Sequence, residues 1–275
     1  MVISMNTIID RSYLRDKKRI VIKIGTSNLT HAETGHVDLL KLEKYVRVFT
    51  DIRNRNKEVI IVSSGAVGAG RKALGIAERP RELAVTQACS AVGQAQLMMI
   101  YQRLFAEYNQ TIAQILVTKN VITNGGTRAN TLRTLEQLLA MGVIPIMNEN
   151  DVVSTDEIQG DNFGDNDTLS AYVAELVEAD LLIILSDIDG LYTDDPRKTE
   201  DAVFIQCVRE IDGRIEEMAK GVQSDSGTGG MTTKIAAAKI AMAAGIDMVI
   251  ANGDRVYNIP DILEGIQIGT LFAPV

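Results

Sequence analysis

A chain of 275 residues, 46% apolar and 23% charged, is long enough for one large α/β domain or two small ones, and its composition is that of a globular protein without disordered tracts. A formal net charge of -8 argues against a broad cationic face for nucleic acid, so any anionic ligand has to be met by local positive charge. The two cysteines, Cys89 and Cys207, are too few for a disulfide framework, lack metal spacing and sit in apolar patterns, so both are expected to be buried reduced thiols.

The charged N-terminus has no apolar core before a small-residue cleavage site, and the densest apolar run, residues 181–185, is only strand-sized. No membrane partner is expected, and the cytoplasm is the expected compartment.

Along the chain, strand-like and helix-like patterns alternate, which predicts a mainly parallel sheet covered by helices on both faces. Residues 19–24 (RIVIKI) form a β-branched run that ends at Gly25. Residues 37–55 carry apolar side chains at helical spacing, with Leu39, Leu42, Val46, Phe49 and Ile52 on one face. A second strand at 57–62 closes on Ser63-Ser64-Gly65, and Pro80 opens a long helical pattern that runs to about residue 108. That helix is apolar or small on nearly every face, which predicts burial all round, either at the centre of the core or at a subunit interface. A homo-oligomer, dimer or tetramer, is therefore expected.

Further strands are predicted at 111–117, 143–147, 181–185 and 248–251, with helices at 127–141, 168–178 and 231–244. Residues 202–224 read less cleanly and could be an excursion from the sheet. There is no Pro/Ser-rich linker and no clear internal repeat, so one continuous α/β domain is the simplest account.

Ligands of open α/β sheets bind outside the carboxyl ends of the strands, and polar or glycine-rich segments come directly after the predicted strands here. They are Lys23-Ile-Gly-Thr-Ser27, Ser63-Ser-Gly-Ala66, Asn148-Glu-Asn-Asp151, Ser186-Asp-Ile-Asp-Gly190 and, opening the last long helix, Gly227-Thr-Gly-Gly-Met-Thr-Thr-Lys234. A loop between them carries Gly164-Asp-Asn-Asp167.

The 227–234 run has the parts of a phosphate cradle, with glycines that let backbone N–H groups approach an anion at a helix N-terminus. It also reads as a flexible loop with a solvated lysine, and its spacing is not that of a Walker A loop. Lys23 interrupts an apolar strand, so it either meets an anion or snorkels from an edge strand.

Ser64-Gly65-Ala66 lacks the Gly-x-Ser-x-Gly pattern of a nucleophile elbow, and His31 and His36 both lie early in a polar loop. A hydroxyl and free backbone N–H groups holding a substrate carboxylate are the better account of Ser64. Asp151, Asp165, Asp167 and Asp187 are candidates to bind a metal, orient lysines or grip an ammonium group, against the alternative that they only make turns. For Asp167 that alternative is a helix N-cap. Residues 192–196 read as loop, with a role over a nucleotide base as one option.

Taken in this order, the segments resemble the amino acid kinase family, and within it the branch that phosphorylates glutamate. The carrying stretches are Val21-Ile-Lys-Ile-Gly-Thr-Ser27, Val62-Ser-Ser-Gly-Ala66, Pro145-Ile-Met-Asn-Glu-Asn-Asp151, Gly164-Asp-Asn-Asp167, Gly190-Leu-Tyr-Thr-Asp-Asp-Pro196, the 227–234 run and Gly269-Thr-Leu-Phe272. The two Asn/Asp motifs are the specific ones. The glycine-rich run is shared loosely with other branches.

The resemblance implies a three-layer α/β/α sandwich with a mainly parallel central sheet, in which residues to about 200 bind L-glutamate and residues from about 201, with the preceding strand end, bind ATP with Mg²⁺. Lys23 and Lys234 would neutralise charge on the transferring phosphoryl group, and Asp167 would orient both. Ser64, Asp151 and Asn166 would hold glutamate, with Asn148 and Asp165 close by. Lys23, Ser186, Asp187, Thr228, Gly229, Gly230, Met231, Thr232, Thr233 and Lys234 would contact ATP.

The resemblance further implies functional coupling to glutamyl phosphate reductase and a form without the C-terminal PUA domain that many relatives carry. Two departures stand out: Ser186 replaces a more usual threonine, and the loop at 157–164 is longer by a few residues. The rival readings are a sister kinase acting on aspartate, N-acetylglutamate or carbamate, and a non-catalytic sensor of amino acid or ATP.

Overall fold

The computed structural model describes residues 9–78, 80–154, 166–219 and 230–274, with the backbone of residue 220. The predicted alternation is present: β1 (Arg19–Ile24), α1 (Leu39–Asn54), β2 (Glu58–Ser63), α2 (Ala66–Ala73), α3 (Leu83–Ala106), β3 (Ile112–Val117), α4 (Lys119–Thr123), α5 (Gly125–Ala140), β4 (Ile144–Glu149), α6 (Asn166–Leu176) and β5 (Leu181–Ser186). The chain continues through β6 (Leu191–Tyr192), β7 (Phe204–Ile205), β8 (Cys207–Val208), α7 (Gly213–Lys220), α8 (Met231–Ala243), β9 (Asp247–Asn252), α9 (Asn258–Leu263) and β10 (Thr270–Phe272).

One sheet runs in the order β3-β4-β2-β1-β5-β9-β10-β8, and its neighbouring strands are parallel except β9 and β10. Successive side chains of a strand point to opposite faces, so β1 feeds two cores. Ile20, Ile22 and Ile24 pack with Leu42 and Phe49 of α1, Tyr101 and Phe105 of α3 and Ile259 of α9. Val21 packs on the other face with Leu135 of α5, Leu169 of α6 and Ile235 of α8. The result is the three-layer sandwich expected.

β1 lies in the interior of this sheet, between β2 and β5, which removes the edge-strand account of Lys23. Lys23 has Val62 and Ile184 as its register partners, and alternation places it on the same face as Val21. It therefore leaves the sheet on the side covered by α6 and α8.

Four expectations are revised. Helix α3 does not lie at the centre of the core: within the chain, Cys89, Ser90, Gly93, Gln94, Leu97, Tyr101 and Phe105 form one buried stripe, while Met99 is half exposed. By length and composition alone α3 would also suit a membrane, yet it packs on α2, α1 and β3. Residues 202–220 are only partly an excursion: β7 pairs with β6 in a separate antiparallel ribbon, whereas β8 returns as the edge strand beside β10. Tyr192 belongs to that ribbon and packs edge-on against Phe204, 5.2 Å between ring centroids, rather than lying in open loop. Of the cysteines, Cys89 is buried as expected and Cys207, on the edge strand, only partly.

The α2–α3 crossing explains why small residues crowd this region. Gly65, with φ +91°, turns the chain directly from the end of β2 into α2. A Cβ at Gly93 would sit 1.7 Å from the Ala66 carbonyl oxygen, and one at Gly70 would sit 1.7 Å from that of Cys89. Backbone meets backbone, so neither position can yield by rotating a side chain. Replacing Gly93 by alanine is expected to lower the unfolding free energy by about 3 kcal/mol or more. Gly68→Ala, where an added Cβ meets nothing within 4 Å, should leave stability equal or slightly higher by helix propensity. Urea unfolding of both variants measures the contrast.

Candidate active site

Three charged side chains meet below the carboxyl ends of the central strands. Asp167, in the first turn of α6, has no solvent exposure, while Lys23 of β1 and Lys234 of α8 are 7% and 6% exposed. Lys23 Nζ lies 2.6 Å from Asp167 Oδ1, and Lys234 Nζ lies 3.1 Å from Oδ2. The Thr233 hydroxyl also donates to Oδ2 at 2.9 Å.

Burial by itself pushes the Asp167 carboxyl up, but the charges of Lys23 and Lys234 and their hydrogen bonds outweigh it and hold the group well below the usual carboxylate range. Asp167 is thus an anion that fixes two cations, and its side chain bonds the lysines rather than capping α6. Lysines as deeply buried as these need such a partner.

Beside this cluster a polar group spans two strand ends. The Asn166 amide donates to Ser64 Oγ at 2.8 Å, to the Ser63 carbonyl at 3.3 Å and to Asn148 Oδ1 at 3.2 Å. Asn148 Oδ1 also accepts from the backbone of Glu149 at 2.9 Å. Asp151 comes just after β4, nearly buried, and accepts a short hydrogen bond from the Ser90 hydroxyl of α3. Ser64, Asn148 and Asn166 are therefore in one network, with Asp151 a few residues beyond it.

On the other side of β1, Ser186 ends β5 and donates to Asp187 at 3.1 Å. Arg197 pairs with Asp187 at 2.9 Å. Burial raises the Asp187 carboxyl, but a backbone N–H and Arg197 pull it down further, so it is held below the ordinary range. Gly230 takes the N-cap position of α8 in extended backbone, followed by Met231, Thr232, Thr233 and Lys234. Asp165, Thr228, Gly229 and the 157–164 loop lie outside the described residues.

Four contacts were not anticipated from sequence. Arg197 reaches Asp187 from the segment after β6, and Thr233 serves the aspartate cluster. Ser90 and Gln94 reach the segment after β4 from α3. The last two carried a signal, since they are polar residues on the buried face of a mainly apolar helix. Among the described residues there is no group of three or more His, Cys, Asp or Glu able to hold a metal ion.

The chain belongs to the amino acid kinase family, whose model matches residues 18–252. It is 52% identical over 263 residues to the glutamate 5-kinase of Clostridium perfringens, covering 95% of this chain and 97% of that one. The glutamate 5-kinase of Carboxydothermus hydrogenoformans is 51% identical over 264 residues, which are 96% of this chain and 70% of that longer protein. Among solved structures, the UMP kinase of Ureaplasma parvum shares the fold, with TM-score 0.63, 16% identity and coverage of 94% of this chain and 99% of the other.

Removing the aspartate leaves two buried ammonium groups facing each other. Asp167→Ala is therefore expected to cost about 3–5 kcal/mol of stability near neutral pH. Because the folded pKa is depressed, that contribution is complete above the ordinary carboxylate value of 3.8 and shrinks as pH falls below it. Urea unfolding of the wild type and the variant from pH 7 to pH 3 should show a constant gap that narrows only at the acid end.

Proposed function

We propose that the chain transfers the γ-phosphoryl group of ATP to the side-chain carboxylate of L-glutamate, giving L-glutamyl 5-phosphate, the first step of proline synthesis. The observation that carries the reading is the pair of buried lysines locked on Asp167 at the carboxyl ends of the central strands. Identity above 50% to glutamate 5-kinases over almost the whole chain supports glutamate as the acid.

The chemistry asks little of the protein beyond placement and charge. A glutamate side chain with a pKa of about 4.3 is already ionised at neutral pH, so no general base is needed. One carboxylate oxygen attacks the γ-phosphorus, the bond from that phosphorus to the ADP oxygen breaks, and negative charge spreads over the phosphoryl oxygens. Lys23 and Lys234 meet that charge, and Asp167 holds them in position. Ser64, Asn148, Asp151, Asn166 and Asp165 hold the glutamate. Ser186, Asp187 and residues 228–234 hold ATP.

Among the described residues the carboxylates do not fit a protein-held metal, since Asp167 is taken up by lysines and there is no group of three or more His, Cys, Asp or Glu able to hold one. Mg²⁺ would come with the ATP phosphates, and no step here runs through it.

We extend the same reading to the architecture. Residues to about 200 form the glutamate part and the remainder the nucleotide part. The half-exposed apolar faces of α3 supply a contact for a homo-oligomer, dimer or tetramer. An acyl phosphate cyclises readily, which favours functional coupling to glutamyl phosphate reductase in the cytoplasm.

Purified protein with ATP, Mg²⁺, hydroxylamine and L-glutamate should yield γ-glutamyl hydroxamate, and parallel reactions with aspartate, N-acetylglutamate or carbamate should yield no phosphorylated product. Product from another acid alone would replace glutamate as substrate, and ATP binding without any turnover would favour a sensor. Lys234→Ala should lower kcat by about 10²–10³-fold while the KM for glutamate changes little. Lost glutamate affinity with kcat intact would contradict the role given to Lys234.

A further inference from the structure

The end of β4 and the segment after it are tied to one face of α3 by three side chains at helical spacing. Gln87 Nε2 donates to the Ser154 carbonyl at 3.4 Å, the Ser90 hydroxyl donates to Asp151 Oδ2, and Gln94 Nε2 donates to the Glu149 carbonyl at 3.4 Å. Positions i, i+3 and i+7 of a helix lie on one stripe. Ala88, Cys89, Ala91, Val92, Ala95, Leu97 and Met98 around them are apolar, with Thr86 and Gln96 the polar exceptions, so the stripe is a polar seam in a mainly apolar helix. The Ser154 hydroxyl also folds the segment back on the end of β4, donating to Glu149 Oε1 at 2.5 Å.

Only the Ser90 bond reaches a carboxylate of the candidate substrate site. Ser90 has no solvent exposure, and Asp151 is 8% exposed. A cavity of about 290 Å³ lies against both, lined also by Gln94, Gln114, Glu149 and Val152. Among the described residues, the Ser90 hydroxyl is the hydrogen-bond donor that holds the Asp151 side chain on that side. With Oδ2 held by Ser90, the other carboxylate oxygen has a defined direction.

We propose that Ser90 is a positioning residue, which aims the Asp151 carboxylate at the α-ammonium group of the amino-acid substrate. This rests on the glutamate reading above. The ammonium is the only cation on glutamate, and a nearly buried carboxylate is its natural partner. The Gln87–Ser90–Gln94 seam makes α3 the rail along which that partner is set. Ser90 touches neither the reacting carboxylate nor the phosphoryl group, so its effect falls on substrate affinity rather than on the chemical step.

Ser90→Ala suits a helix interior and should fold, which its melting temperature checks. Hydroxamate kinetics should show the KM for glutamate raised about five- to tenfold, a smaller change in kcat and no change in the KM for ATP. In the Asp151→Asn background the same substitution should add little, because there is no carboxylate left to aim. An unchanged KM for glutamate overturns the proposal. So does an equal rise in the KM for ATP, or the full effect persisting in the Asp151→Asn background, since either marks Ser90 as a packing residue. Failure of the wild type to phosphorylate glutamate overturns the substrate reading and the proposal with it, whereas an active wild type with an indifferent Ser90→Ala overturns the proposal alone.

Discussion

Two lysines and an aspartate excluded from water have to satisfy one another, and that constraint sets the position of much else in the molecule. Lys23 comes from the middle of a central strand, Asp167 from the first turn of a helix on one face, and Lys234 from the first turns of another helix on that face. None of the three is stable alone at that depth, since an isolated buried charge costs several kcal/mol. Strand β1 must therefore sit between β2 and β5, and α6 and α8 must lie side by side, for the charges to meet. The two cores of the sandwich hold those elements in place.

The same arrangement suits a reaction in which two anions have to approach each other. A phosphoryl acceptor that is already ionised and a triphosphate both repel, and preorganised cations lower that cost without having to reorganise during the reaction. Flanking the cluster, the Asn166 network joins the ends of β2 and β4, while Ser186 and Asp187 stand at the end of β5. In the proposed reading, acceptor and donor contacts are separated to either side of β1. Strand order alone dictates that placement.

Much of this was legible in the residues. The β-branched runs and helical spacings gave the alternation of strands and helices, and the polar residues at the carboxyl end of each predicted strand included Lys23, Ser64, Asn148 and Ser186. The structure brings Asn166 and Asp167 to the same ends through the start of α6. The contacts between distant segments were not legible, because they depend on which faces meet. The pairing of Arg197 with Asp187, the edge strand at Cys207–Val208 and the seam on α3 all belong to that class. For α3 the apolar majority hid a polar stripe, and within the chain only one stripe is buried. Gly70 and Gly93 likewise acquire meaning only once α2 and α3 are seen to touch backbone to backbone.

In the proposed reaction the glutamate side chain itself is the nucleophile, and the protein supplies charge and position but no base. Glutamate labelled with ¹⁸O in its side-chain carboxylate, turned over with ATP and trapped by hydroxylamine, separates transfer to the glutamate side chain from transfer that ends on water or on a protein group. Hydroxylamine attacks the acyl carbon, so the released phosphate carries away the oxygen that attacked phosphorus. Attack by the side chain predicts one ¹⁸O in that phosphate, seen as an isotope shift in its ³¹P resonance. Unlabelled phosphate released by the enzyme would mean that water or a protein group had attacked instead, and would contradict the mechanism.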